Sequence, residues 1–139
     1  MKKTIITICV MVLSMAAFAT DAPKAVKEAF AKKFPAATNV KWVKENAHEY
    51  EAGFKQNGKS FSANYSDKGE WLETESAMEF NLLPKKIQQS FNTSHKGARV
   101  KAVAKIETSK GITKYEVEFK NGKKTVEEFY AEDGSTIKA

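Results

Sequence analysis

The sequence predicts an α+β fold: two tandem helix-plus-four-stranded antiparallel meander repeats forming one sheet, with the helices on one face. Three observations predict it. First, the chain resembles itself. Pro23 to Phe30 lines up with Pro84 to Phe91, 61 positions on, and four further matches follow in the same order. These are Val40-Lys41-Trp42-Val43 with Val100-Lys101-Ala102-Val103, Tyr50-Glu51-Ala52-Gly53-Phe54-Lys55 with Tyr115-Glu116-Val117-Glu118-Phe119-Lys120, Asn57-Gly58-Lys59 with Asn121-Gly122-Lys123, and Asp67-Lys68-Gly69 with Asp133-Gly134. Internal repetition of this kind marks duplicated supersecondary units. Second, apolar residues recur every four positions after each proline. Third, the following segments alternate polar and apolar with period two and run into Asn-Gly.

The elements follow in order. Lys2 and Lys3, an apolar run from Thr4 to Leu13, and Ala17-Phe18-Ala19 read as a signal peptide cleaved after Ala19. The apolar run is shorter than the roughly 20 residues a membrane span needs. No stable membrane insertion is therefore expected after cleavage, and the mature chain should be periplasmic or secreted. Removing residues 1–19 leaves 120 residues, expected as a single domain of repeat one (about 22–76) and repeat two (about 82–139). Cys9 goes with the leader, so no disulfide can form in an oxidising compartment.

In each copy proline opens a helix, because its missing N–H and fixed φ suit a helix start. Val26, Phe30 and Phe34 form one stripe; Leu83, Ile87, Phe91 and His95 form the other. Pro35 and Gly97 end the two helices. Asn39–Glu45 and Arg99–Thr108 are expected as first strands. Tyr50, Ala52 and Phe54, like Tyr115, Val117 and Phe119, form the apolar faces of second strands. Asn57-Gly58 and Asn121-Gly122 are hairpin turns, because both residue types tolerate positive φ. Ser60–Ser66 and Lys124–Tyr130 are the return strands, and last strands start near Glu70 and Ser135.

Composition excludes several function classes. The net charge of +6 falls to +4 without Lys2 and Lys3, acids and bases are interleaved, and Arg99 is the single arginine. A nucleic-acid binder would concentrate its basic residues on one face. The mature chain has no cysteine nucleophile, and no Gly-x-Ser-x-Gly or His-Glu-x-x-His motif occurs. His95 continues the stripe of the second helix, where packing or capping explains it. His48 opens a strand and reads as a surface residue. His48 and Glu49, as strand neighbours, face opposite ways and make a poor metal pair. No catalytic, cofactor-binding or metal-binding residue is assigned, and the chain is not expected to be an enzyme.

Helix and meander repeated twice, with Tyr-Glu-x-x-Phe-Lys and Asn-Gly-Lys in each copy, resembles the PepSY-like family of exported bacterial proteins. That family is similar in architecture to the β-lactamase-inhibitory protein, a tandem repeat whose concave sheet docks on an enzyme. The resemblance implies a periplasmic binding or inhibitory role and carries over no functional residue. The absence of cysteine in the mature chain departs from the β-lactamase inhibitor.

One helix per copy leaves the opposite sheet face open, and function is expected there. Trp42 and Val43, Trp71 and Leu72, and Phe129 and Tyr130 are strand neighbours, so one of each pair should reach that face. Trp42, Trp71 and Tyr130 are the candidate contacts, because such aromatics dominate protein interfaces. Twist, or cover by Glu75–Leu83, is the alternative. Glu70, Glu73, Glu75 and Glu79 form an acidic stretch that suits either a basic partner or a solvated edge. The expected role is a non-catalytic module binding an unidentified protein or peptide, with inhibition of a hydrolase as one form of it. The alternative is a binder of a small ligand or envelope component, using a pocket between the repeats.

Overall fold

The computed structural model describes residues 20–138; the expected leader lies outside them. The elements run α1 (Lys24–Lys33), β1 (Thr38–Lys44), β2 (Glu49–Gln56), β3 (Lys59–Ser66), β4 (Trp71–Ala77), a 3-10 turn (Phe80–Leu82), α2 (Lys85–Ser94), β5 (Arg99–Thr108), β6 (Thr113–Asn121), β7 (Lys124–Tyr130) and β8 (Thr136–Ile137). The strands form one eight-stranded antiparallel sheet in chain order, β1 to β8. The chain divides into two compact units. One runs up to Ala77 and adds Ile106–Ile112; the other holds Met78–Lys105 and residues from Thr113 onward.

In the first unit, Val26 and Phe30 of α1 pack on Tyr50, Ala52, Phe54, Ala63 and Tyr65. The register explains why these residues meet. Phe54 pairs with Phe61, Ala52 with Ala63 and Tyr50 with Tyr65, so one face of β2 and β3 is uniformly apolar. Phe30 sits at the centre, with ring centroids of Phe54, Trp42, Phe34 and Tyr65 at 5.0, 5.3, 5.4 and 6.2 Å. Burying one such phenylalanine stabilises the fold by about 2–3 kcal/mol. Ala22, just ahead of α1, is buried in the same cluster.

In the second unit, Ile87 and Phe91 of α2 pack on Val103, Tyr115, Val117, Phe119 and Tyr130. Leu83 and His95 belong to the expected stripe but flank α2 instead of lying within it. Leu83 enters the core from before Pro84. His95 is the C-cap, with its N–H bonded to the Phe91 carbonyl at 2.8 Å. The two Asn-Gly hairpins also differ. Asn57 and Gly58 both have positive φ between the paired Gln56 and Lys59, as a type I′ turn requires. In the other hairpin Asn121 pairs with Lys124, so the loop is Gly122-Lys123 and only glycine has positive φ. Glycine in the first turn position is the type II′ arrangement.

Two other glycines explain the Asp-Gly signatures. Gly69 follows β3 and Gly134 follows β7, at φ +85° and +87°. A Cβ on Gly69 would lie 2.8 Å from the Ala25 carbonyl oxygen of α1. On Gly134 it would lie 2.8 Å from the Lys86 carbonyl oxygen of α2. Each glycine therefore meets two demands, a left-handed backbone and close approach of the turn to the first turn of a helix.

Candidate binding surface

Strand alternation gives each unit a second sheet face, opposite its helix. In the first unit that face carries Lys41 and Val43 from β1, Glu45 just after it, Glu49, Glu51 and Gly53 from β2, Ser62 and Asn64 from β3, and Glu73 and Glu75 from β4. The registers fix these neighbours: Val43 lies beside Glu51, Glu51 beside Asn64, Asn64 beside Glu73, and Ser62 beside Glu75. A bulge between Asn64 and Tyr65 in the β3–β4 ladder lets Trp71 pair with Tyr65 on the helix side.

The three aromatic candidates lie on the helix side, which corrects their expected place on the open face. Trp42 packs against the first core, its ring 5.3 Å from Phe30 and 6.4 Å from Tyr65. Trp71 packs on the same core, beneath the Lys33 ammonium at 3.6 Å, and its Nε1–H donates to Thr74 Oγ1 at 2.9 Å. Tyr130 is fully buried in the second core, where its hydroxyl donates to the Glu128 carboxylate. That carboxylate oxygen also meets His95 Nε2 at 2.7 Å. In each pair the larger side chain takes the helix side. Their neighbours Val43, Leu72 and Phe129 are left for other surroundings. Phe129 pairs with Glu116, is buried, and belongs to neither helix-side cluster; the Lys114 ammonium lies 5.3 Å from its ring.

Polar residues that the sequence presents only as the outer side of alternating strands carry the unusual electrostatics. The Glu51 carboxyl is pushed up to about 7, first by burial, then by the charges of Glu45 and Glu73 and its hydrogen bond with Glu45. Glu45 is raised by burial and by the charge of Glu49, while the bond to Glu51 opposes the rise. Both carboxyls are thus pushed toward the neutral form, as like-charged neighbours are when desolvated. Asn46 Nδ2 donates to Glu49 at 2.8 Å and holds that carboxylate at the rim. In the second unit, Glu118 lies opposite Glu127, whose carboxyl is raised by burial and then by the charge of Glu118. The signal available in sequence was the second residue of Tyr-Glu-x-x-Phe-Lys. It is Glu51 in one copy and Glu116, 1% exposed, in the other.

Two open clefts lie within single units. One, of about 410 Å³, is lined by His48, Glu49, Ser66, Asp67, Lys68, Glu70 and Leu72. It gathers a serine, a histidine and an aspartate, and His48 Nδ1 lies 3.1 Å from Asp67 Oδ2. Ser66 Oγ instead accepts the Glu70 N–H at 3.1 Å and turns its own hydrogen to the Glu70 carboxylate at 3.4 Å. The nucleophile-to-base bond that activation requires is not made. The other cleft, of about 320 Å³, lies at the C-terminal end of α2 around His95, Lys96, Phe119 and Lys120. Among the described residues no group of three or more His, Cys, Asp or Glu side chains is placed to hold a metal ion. Among them, too, no helix is long and apolar enough to cross a membrane.

The family described as "Putative beta-lactamase-inhibitor-like, PepSY-like" matches residues 16–62 and 48–138. The chain belongs to the PepSY-like family. Solved structures share its fold. A protein from Bacteroides eggerthii DSM 20697, provisionally assigned to the periplasm, aligns with a TM-score of 0.77 at 17% identity, over 85% of this chain and 87% of that one. A DUF2874 family protein from Bacteroides ovatus ATCC 8483 aligns at 0.75 and 21% identity, over 86% of each chain. A BLIP-like protein from Bacteroides fragilis NCTC 9343 aligns at 0.69 and 24% identity, over 85% of this chain and 84% of that one. At these identities the likeness establishes the fold alone. No curated protein sequence matches the chain.

Proposed function

We propose that this PepSY-like protein is an exported, non-catalytic module that binds a protein or peptide through the sheet face opposite its helices. The observation that carries the reading is the first unit's face. It presents Val43 beside the desolvated Glu45–Glu51 pair, and among the described residues no lysine, arginine or histidine forms a salt bridge with either carboxylate. Perturbed carboxyls kept without an internal counter-ion are a mark of functional surfaces. The misdirected Ser66 supports a non-catalytic role.

The same reading takes the chain as two copies of one helix-plus-four-strand unit in a single domain. Residues 1–19 act as a leader removed on the way to the periplasm or beyond. The matching approach of Gly69 to α1 and Gly134 to α2 supports duplication. The β-lactamase-inhibitor-like description of the family supports a hydrolase as the partner.

The test is affinity capture with immobilised protein from Thr20 onward, beside a Val43→Arg/Glu73→Arg variant checked for folding. The expected result is a discrete partner retained by the parent and lost by the variant. Equal capture by both would sink the open-face reading.

A further inference from the structure

The first and last strands of the sheet are unequal edges. The last, β8, runs for two residues, too short to template a ladder. The first, β1, runs for seven, from Thr38 to Lys44. Asn39, at φ 54°, and the register shift between Thr38 and Lys41 kink its start, and the exposed Val40 leads from there to Lys44. The bonds to β2 fix which way the backbone groups point. The Glu45 N–H donates to the Glu49 carbonyl, so Glu45, Val43 and Lys41 turn theirs toward β2, while Trp42 and Lys44 turn theirs out of the sheet.

A segment of the chain already lies on that outer edge. The Thr20 N–H donates to the Trp42 carbonyl oxygen at 3.4 Å. Ala22 is buried in the first core, and Asp21 pairs with Lys27 of α1. Residues 20–23 thus form a strap across β1. The strap is held lightly: its bond to Trp42 is long for an N–H···O contact, and the Asp21–Lys27 pair is solvent-exposed.

We propose that this strap guards β1 against pairing with β1 of a second copy of the chain, and that lifting it exposes a self-complementary edge. Trp42 is the midpoint of the stretch from Val40 to Lys44. Two antiparallel β1 strands with Trp42 on the two-fold axis set Val40 against Lys44 and Lys41 against Val43. Lysines on an edge discourage pairing, but in this register each meets a valine and none meets a lysine, the destabilising arrangement. The outward N–H and C=O of Trp42 then bond those of its counterpart, and that carbonyl is the one Thr20 occupies. Strap and second strand compete for the same acceptor, so seating one excludes the other.

Analytical ultracentrifugation of the protein from Thr20 onward, beside chains starting at Ala22 and at Pro23, tests this, with near-ultraviolet circular dichroism confirming the fold. The chain from Ala22 loses the Trp42 contact but keeps Ala22 for the core, so it decides the matter if the chain from Pro23 does not fold. The parent should sediment as a monomer. The shortened chains should dimerise at least tenfold more tightly, and hydrogen exchange at the Trp42 and Lys44 amides should slow at least tenfold in the dimer. Shortened chains as monomeric as the parent, a parent that dimerises equally well, or dimers whose Trp42 and Lys44 amides exchange as fast as in the monomer would each overturn the proposal.

Discussion

Replacing Glu51 by glutamine should stabilise the protein, increasingly as pH rises from about 4.5 to about 7. Burial and the neighbouring Glu45 and Glu73 raise the Glu51 carboxyl from its ordinary 4.5 to about 7. Such a difference corresponds to about 3 kcal/mol between the two protonation states. The sign follows from linkage: a carboxyl raised in the folded state contributes stability that is complete below about 4.5 and lost as pH rises through about 7. Glutamine keeps a donor for Glu45 and never ionises. The variant should therefore match the parent at pH 4 and exceed it by up to about 3 kcal/mol at pH 8, or about 10 °C in Tm for a chain of this size. Because Glu45 is raised too, the pair titrates jointly and part of the gain stays with Glu45. Urea unfolding at pH 4, 6 and 8 reads the difference. A variant equally stable relative to the parent at all three values would refute the reasoning, as would one destabilised at pH 8.

Other substitutions separate the two cores. The Tyr65 hydroxyl is buried without a hydrogen-bond partner, so Tyr65→Phe should be neutral or stabilise by about 1 kcal/mol in urea denaturation. Tyr130→Phe removes a bond to the Glu128 carboxylate and should cost about 1–3 kcal/mol by the same assay. Gly69→Ala and Gly134→Ala each force a Cβ against a helix carbonyl at positive φ; each should lower stability by about 2–3 kcal/mol in thermal unfolding. Trp42→Ala empties part of the first core and should cost about 3 kcal/mol while leaving partner capture intact once the protein is folded, as measured by calorimetry and pull-down.

Much of the architecture was legible because local rules agreed with one another. Val26 and Phe30 fixed the buried stripe of α1, Tyr50, Ala52 and Phe54 fixed the inner face of β2, and Asn57-Gly58 fixed the hairpin between β2 and β3. The limits are equally specific. Strand neighbours such as Trp42 and Val43 must face opposite ways, but period two does not say which one meets the helix. That choice is made by tertiary packing, here the Trp42 ring against Phe30 at 5.3 Å. The Asn121-Gly122 turn shifted by one residue because register is settled by the whole ladder, here Asn121 with Lys124. The Glu45–Glu51 pair was invisible for the same reason. Glu45 follows β1 and Glu51 lies on β2, and only the register that sets Val43 against Glu51 brings them onto one surface. In the sequence both are ordinary acids on the polar side of an alternating strand.

Site-specific photocrosslinking tests the central claim most directly. The parent protein would carry p-benzoylphenylalanine at Val43, on the sheet face opposite α1, or at Lys32 on the exposed side of α1, and be irradiated in intact cells. The binding-face account predicts a discrete adduct from position 43 and none from position 32. An adduct from position 32 alone, or from neither, would contradict it.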